Sequence, residues 1–393
     1  MDFQQIKQMD SQYIEHTYGR ADVCIAKGKN ATGWDLDGKS YIDFSSGIGV
    51  NSLGFCDDEW SKAVAEQAQT MQHISNLYYT IPGPNAAKKI CEKTGFKKVF
   101  FGNSGAEANE GAIKAARKYS FDKYGAEAGR NEIITLVNSF HGRTIATLTA
   151  TGQDVFHNYF FPFVGGFQYA RAGDIEDIKS KISDKTCAVM LEFVQGEGGV
   201  IPLDKGFVKE LFDLCHEKDI LVIADEVQTG VGRTGEFLCC ENFGVKPDLA
   251  TLAKGLGGGL PIGAVLFGEK VENVMGPGSH GTTFGANPVS CAGANVVLDR
   301  LDRAFLDSVK EKGAYLKEKI EKMPNVKSVT GMGMMLGIAL EKSDSKTVVG
   351  RCIENGLIIL TAKEKVRLLP PLTITYEEMD KGLAVLEKVL SSL

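Results

Sequence analysis

Six short apolar runs recur through the middle of the chain, at residues 99–101, 133–137, 187–194, 220–224, 249–253 and 264–267. Polar residues do not alternate within them, so each reads as a strand buried on both faces. Between them lie stretches with helical spacing, among them residues 108–119 and 205–218. Strands covered on both sides and interleaved with helices predict a mostly parallel sheet with helices around it, an α/β arrangement.

The flanks read differently. Residues 1–30 are polar and irregular, apart from a short helix near 3–17. Residues 33–44 alternate about an Asp37-Gly38 turn, the pattern of a hairpin. Residues 59–72 predict a helix capped by Asp57 or Asp58, with Val64, Ala68 and Met71 on one face. A Gly/Pro/Ser/Thr-rich connector at 276–288 leads into a long helical region from 289 to 323. Short strands at 326–329, 336–340 and 357–361 and a last helix at 376–390 make the C-terminal part a smaller α+β domain. The expected organisation is an N-terminal segment, 1–45, packing with the small domain, then a large domain over 46–288 and the small domain over 289–393.

Composition narrows the class. Hydrophobic residues make up 43% and charged residues 24% of 393 positions, a globular balance that excludes disorder and rod-like repeats. Forty-four basic against fifty acidic side chains leave a net charge of −6, a poor basis for holding nucleic acid. Residues 1–8 lack a signal-peptide core, and the longest apolar run, 332–340 with its glycines, is far too short to span a bilayer. Nine cysteines, an odd number without a C-x-x-C pair, read as reduced thiols and point to the cytoplasm. The histidines show no ligand spacing, so no metal site is expected.

Three short patterns match known signatures but fail on context. Gly33-x4-Gly38-Lys39-Ser40 fits a P-loop, yet a strand rather than a helix follows, and Asp35 and Asp37 would repel phosphates. Gly230-x-Gly232-x-x-Gly235 fits a dinucleotide fingerprint, but it comes late after its strand and no helix opens behind it. Gly102-x-Ser104-Gly105-Ala106 lacks the last glycine of a nucleophile elbow. A nucleotide-binding or hydrolytic α/β enzyme is the alternative that these patterns leave open.

Four strand ends converge on one chemistry. After the strand 99–101, Ser104, Gly105 and Ala106 open a helix whose free amides and dipole suit a phosphate, or else form an ordinary cap. Asp225 ends a buried strand, where a carboxylate can keep a heteroaromatic nitrogen protonated or simply cap a helix. Lys254 ends another strand ahead of a glycine run, placed as a desolvated nucleophilic amine or as a lysine reaching solvent. Phe140 and Arg143 follow the strand 133–137 and offer a stacking ring and a carboxylate fork, or a core ring and a surface charge. Together they are the parts that a pyridoxal phosphate (PLP) site requires.

The motifs run in order: Ser104-Gly-Ala-Glu-Ala-Asn-Glu110, Phe140-His-Gly-Arg143, Gln195-Gly-Glu-Gly-Gly199, Asp225-Glu-Val-Gln228, Lys254-Gly-Leu-Gly-Gly258 and His280-Gly-Thr-Thr-Phe284. On these the sequence resembles the class III aminotransferases, PLP enzymes of fold type I, over nearly its whole length. The resemblance implies a seven-stranded, mostly parallel large-domain sheet flanked by helices. It implies that Lys254 carries the cofactor and shuttles a proton, that Asp225 pairs with the ring nitrogen, and that Phe140 stacks on the ring. Gln228 would bond the phenolic oxygen, and Ser104, Gly105, Ala106 and Val227 complete the pocket. Thr283 would reach the phosphate of the neighbouring subunit, making a homodimer with shared sites, and Thr282 would lie near the substrate.

Within the class, the resemblance is greatest to members that move the terminal amino group of N2-acetylornithine to 2-oxoglutarate. Other terminal-amine donors remain open: succinylornithine, ornithine, N-succinyldiaminopimelate and 4-aminobutyrate. The resemblance implies that Arg367 grips the α-carboxylate of glutamate and that Glu192 masks Arg367 when the distal amine reacts. Arg143 would hold the far carboxylate. Gly47 stands where ornithine-specific members carry a tyrosine, and so leaves room for an acyl group, unless the glycine merely serves a turn. Phe193 and Ala286 depart from the family pattern, which there has proline and glycine.

Overall fold

The computed structural model describes all 393 residues. Its centre is a seven-stranded sheet in the order Lys98–Gly102, Gly263–Phe267, Leu249–Leu252, Leu221–Asp225, Thr186–Leu191, Glu132–Leu136, Phe167–Ala170. Gly263–Phe267 runs antiparallel to both its neighbours, and every other pairing is parallel. The strands Thr186–Leu191, Leu221–Asp225, Leu249–Leu252 and Gly263–Phe267 are buried at every position, as unbroken apolar runs require. Burying one such aliphatic side chain is worth roughly 1.5–3 kcal/mol, so the runs fix the sheet's interior. Phe167–Ala170 lies at the edge, half-buried, and its Gln168 and Tyr169 leave no apolar run to mark it.

The helix Gly105–Tyr124 starts where the strand Lys98–Gly102 ends. Ser104 caps it, its Oγ accepting from the Glu107 amide at 3.1 Å. Its inner face is small (Ala108, Ala112, Ala115, Ala116), which lets it lie close on the sheet. A Cβ on Gly263 would sit 2.1 Å from the Ser104 carbonyl, so this helix start and the antiparallel strand touch backbone to backbone.

Two four-stranded sheets join the ends of the chain. One holds Ile25–Lys29, Thr32–Asp35, Ser40–Asp43 and, parallel to the last, Leu357–Ile358. The other is antiparallel: Val326–Met332, Met335–Leu340, Lys365–Leu368, Leu360–Ala362. The run 357–361 is therefore not one strand; it divides between the two sheets. The region 289–323 is also divided, into Pro288–Arg300 and Arg303–Glu321, because Asp302 caps a new helix start by accepting from the Phe305 amide at 2.8 Å. The helix Pro82–Thr94 went unread because two prolines open it, yet it packs with Asp58–Thr70 on Pro288–Arg300. Residues 33–44 form the hairpin, with Gly38 at φ +85°, and the P-loop pattern ends in the strand Ser40–Asp43. Phe193 is fully buried against Phe212 and Phe243, away from any chemistry. Ala286 sits at φ +57°, a backbone that favours the glycine it replaces. No helix is long and apolar enough to cross a membrane.

Candidate active site

A cavity of about 600 Å³ opens where the parallel strands end, next to the start of the helix Gly105–Tyr124. Ligands bind at such strand ends in open α/β sheets. A cleft of about 570 Å³ near Arg117 and Arg130 is comparable in size, but both guanidiniums there are taken up by backbone carbonyls.

One wall is built for an anion. Ser104, Gly105 and Ala106 line it, and the Gly105 and Ala106 amides are the first of their helix, with no intrahelical acceptor. Val227 packs over them so closely that a Cβ on Gly105 would meet Val227 Cγ1 at 2.6 Å. Glycine is required there by close approach.

Asp225 is 4% exposed and held from three sides. Its Oδ2 accepts from Asn109 Nδ2 at 2.8 Å and faces His141 Nδ1 at 2.8 Å, and its Oδ1 accepts from the Val227 amide at 3.0 Å. Asn109 is fixed in turn, since its Oδ1 accepts from Thr251 Oγ1 at 2.7 Å. A buried carboxylate with this support is locked in place and directed at the cavity that it lines.

Lys254 follows the strand Leu249–Leu252 at φ +44°, a strained position for a side chain other than glycine. Its amine lines the cavity without a salt-bridge partner, the neighbouring Glu197 being paired with Arg367. Burial lowers its pKa, and Arg367 adds to that, while Glu197, Asp225 and Glu192 oppose it. The result is an amine that gives up its proton more readily than a free lysine.

Phe140 lines the cavity, edge-on to Phe156 at 5.8 Å, and Arg143 lies over Phe156 at 4.2 Å and over Phe140 at 5.6 Å. Arg143 is exposed and has no carboxylate partner, so its fork is free. Glu192 accepts from the Phe140 amide at 2.9 Å and from the Gly196 amide at 3.3 Å. Burial pushes it up to about 7, His141 and those amides pull it down, and Asp225 adds to the rise.

The expected Glu192–Arg367 pair is not what forms. Arg367 Nη1 donates to Glu197 Oε1 at 2.6 Å and to Gln228 Oε1 at 3.2 Å. Glu192 is committed to two backbone amides, whereas Glu197 reaches the guanidinium from the turn after the short strand Val194–Gln195. Burial pushes Glu197 up, but Arg367, with help from Lys254 and Gln228, outweighs it and holds the carboxyl below its ordinary value. Arg367 is 3% exposed and its Nε has no partner.

Other candidates lie at the margin. Thr282 Oγ1 accepts from Asn103 Nδ2 at 3.0 Å. Thr283 is exposed and does not line this cavity. Gly47 is also exposed, within a left-handed turn in which Ser46, Gly47, Ile48 and Gly49 all have φ between +49° and +77°. Its neighbour Val50 lines the cavity, as does Tyr18 from the irregular N-terminal segment. Pattern alone does not single out Asn109, His141, Glu197 or Tyr18. For Asn109 a signal existed: it is a polar residue on the alanine-rich inner face of its helix.

The donor set fits PLP: a helix-start cradle narrowed to glycine, a buried carboxylate, an unpaired amine and a stacking ring line one cavity. His141 Nε2 stays buried without a partner beside it. The class-III aminotransferase family model matches residues 13–390. An acetylornithine aminotransferase from Haemophilus ducreyi is 51% identical over 391 residues, covering 99% of each chain. The solved ornithine aminotransferase from Toxoplasma gondii ME49 matches with a TM-score of 0.94 at 32% identity, over 100% of this chain and 96% of that one. The acetylornithine aminotransferase structure from Elizabethkingia anophelis matches with a TM-score of 0.88 at 31% identity over all of both chains. With the motifs, the fold and the cofactor-shaped cavity in agreement with these matches, the chain belongs to the class-III aminotransferases, a PLP-dependent family.

Proposed function

We propose that this aminotransferase moves the terminal amino group of N2-acetylornithine to 2-oxoglutarate, giving N-acetylglutamate 5-semialdehyde and glutamate, a step toward arginine. The observation that carries the reading is the Glu197–Arg367 ion pair, whose Glu197 lines the cavity of Lys254 while Arg367 is buried beside it. An aminotransferase takes an amino donor and a keto acid in turn at one site. A distal amine arrives without a carboxylate beside it, whereas glutamate carries one. An arginine that is paired in one half-reaction and free in the other serves both.

Bound PLP supplies an electrophilic carbon for amines and a ring that draws off electrons as a substrate C–H bond breaks. Lys254 would hold the cofactor through Nζ and, when free, would serve as the base for the substrate's proton, a role that suits an amine whose pKa burial lowers. Asp225, fixed by Asn109 and His141, would supply the negative charge that keeps the ring nitrogen protonated. The Gly105 and Ala106 amides, with Ser104 beside them, would hold the phosphate, and Phe140 would face the ring. Gln228, which lines the cavity, would serve the phenolic oxygen. Arg143 grips the carboxylate of acetylornithine and the distal carboxylate of glutamate, and Arg367 grips the α-carboxylate of glutamate after Glu197 lets go.

We read Thr283 as serving the site of a second copy of the chain. It lies on a turn that Asn76 joins by donating to the Thr282 and Gly285 carbonyls, and Leu77, Tyr78, Tyr79 and Ile81, which follow Asn76 in the chain, are exposed, as is Phe284. Thr282, on the same turn, is read as lying near the substrate. Gly47 leaves its corner open, with Asn51 Nδ2 at 3.7 Å from where a Cβ would stand, which supports space for an acyl group. Nine unpaired cysteines suit the reducing cytoplasm.

The test is an absorption titration of the holoenzyme. N-acetylornithine at low concentration should bleach the visible band of the lysine-bound cofactor, and 2-oxoglutarate should restore it. Equal bleaching by free ornithine, succinylornithine or 4-aminobutyrate would overturn the donor assignment.

A further inference from the structure

The glycine pattern Gly230-x-Gly232-x-x-Gly235 encloses a buried arginine that the chemistry above leaves unused. Arg233 is 2% exposed. Its loop follows the strand Leu221–Asp225 and also carries Gln228. The side chain leaves the loop and crosses to the C-terminal sheet, where Nη1 donates to the Met334 carbonyl at 3.1 Å and to the Pro370 carbonyl. The contact is returned through the backbone, because the Met334 amide donates to the Arg233 carbonyl at 3.0 Å. The glycines fit this crossing. Gly232 has φ +84°, Gly235 has φ +86°, and a Cβ on Gly333 would come within 2.8 Å of the Arg233 carbonyl oxygen.

One contacted carbonyl stands at the end of the strand that carries Arg367, and the other at the end of the strand paired with it. Met334 immediately precedes Met335–Leu340, and Pro370 lies just beyond Lys365–Leu368. These strands pair with Gly337 opposite Arg367. Arg233 therefore ties the strand holding Arg367 and its paired neighbour to the loop holding Gln228, and Gln228 accepts from Arg367 at 3.2 Å. A buried guanidinium with one nitrogen left unpartnered is a costly way to fill space, and an apolar side chain would fill it more cheaply. Directed donors do what an apolar side chain cannot: they fix the offset between two segments.

We infer that Arg233 is a positioning residue for Arg367, setting where the carboxylate-gripping guanidinium stands against Gln228 and Glu197. The inference rests on the reading above, in which Arg367 takes the α-carboxylate of glutamate. The role is felt by the half-reaction that uses Arg367 and not by the one in which Arg367 stays paired.

The experiment compares holoenzymes carrying Arg233→Met, Arg233→Lys and Arg367→Ala. Each half-reaction is followed separately by cofactor absorption, and binding of glutarate, an unreactive dicarboxylate, is measured by calorimetry. Arg233→Met should raise KM for glutamate and weaken glutarate roughly tenfold, while the acetylornithine half-reaction stays within about twofold. Arg233→Lys, which keeps a charged donor, should recover part of the loss. If Arg233→Met does not fold, Arg233→Lys decides alone, with a smaller loss confined to glutamate and glutarate. Unchanged glutarate binding, or equal slowing of both half-reactions, overturns the positioning role. Arg367→Ala separates the two ideas: glutamate binding that survives it removes the reading of Arg367, and the inference with it. Loss of glutamate binding in Arg367→Ala alone, with both Arg233 variants normal, removes only the inference.

Discussion

Glu197 and Arg367 meet at 2.6 Å, while Glu192, on the other side of the short strand Val194–Gln195, gives its oxygens to the Phe140 and Gly196 amides. In the proposed mechanism Glu197 is the movable partner of Arg367, and Glu192 is a fixed brace between Phe140 and Gly196. Glu197→Gln keeps the shape and removes the charge. Arg367 then stands unmasked and competes with Arg143 for the donor's carboxylate. The expected result is kcat/KM for N-acetylornithine lower by roughly tenfold, with that for glutamate held or raised. Half-reaction kinetics measured one substrate at a time check it, and equal losses on both sides would count against a gate.

The phosphate cradle gives a second prediction. Gly105→Ala would place a methyl group 2.6 Å from Val227 Cγ1, at the first amides of the helix Gly105–Tyr124. Either the helix start shifts outward or Val227 turns into the cavity, and both spoil the anion site. Cofactor retention during dialysis should fall by at least roughly tenfold, with the melting temperature of the cofactor-free protein little changed.

Much of this was legible in the sequence for a plain reason. Strands buried on both faces must be apolar throughout, so the five inner strands stand out; of the two edge strands, Lys98–Gly102 is still marked by its apolar Val99–Phe101, whereas Phe167–Ala170 carries Gln168 and Tyr169 and is missed. Lys254, Asp225 and Ser104 sit at strand and helix boundaries, where a charged or capping residue interrupts a pattern. The partner of Arg367 was not legible that way. Glu192 and Glu197 are acidic residues on either side of the short strand Val194–Gln195, and only the fold shows which of them has backbone amides within reach. Gly47 illustrates the converse: its φ of +60° accounts for glycine without reference to any substrate.

Glu226, beside Asp225 but turned away from the cavity, sets a pH dependence. It is fully buried and accepts from Thr229 Oγ1 at 2.6 Å and from the Cys239 and Cys240 amides at 2.9 and 2.8 Å. Burial pushes it up to about 7 from an ordinary 4.5, against the pull of those donors. A carboxyl raised on folding binds its proton more tightly in the folded state. Stability from this group is therefore full below the ordinary value, falls as pH climbs toward 7, and is gone above it. The upper bound is about 3 kcal/mol. Glu226→Gln should flatten that slope in urea melts taken across the window. Glu192, raised in the same direction by burial, leaves a residual slope.

Lys254 supplies the last test, because two of its roles can be separated. Lys254→Ala and Lys254→Arg should both abolish the visible band of the lysine-bound cofactor and slow transamination by at least ~10²-fold, the usual scale for a lost proton-transfer group. They differ in what they leave behind. Alanine opens a space next to the cavity, whereas arginine fills it with a group that stays protonated. A small amine such as ethylamine should therefore rescue the Ala variant in part and the Arg variant not at all. The rescue should also grow as pH rises toward the amine's own value. In the wild-type protein burial lowers the Lys254 pKa, so its amine releases a proton at lower pH than a free lysine does. Rescue that is equal in both variants, or flat with pH, would show that Lys254 acts through space-filling or charge and not through a transferable proton.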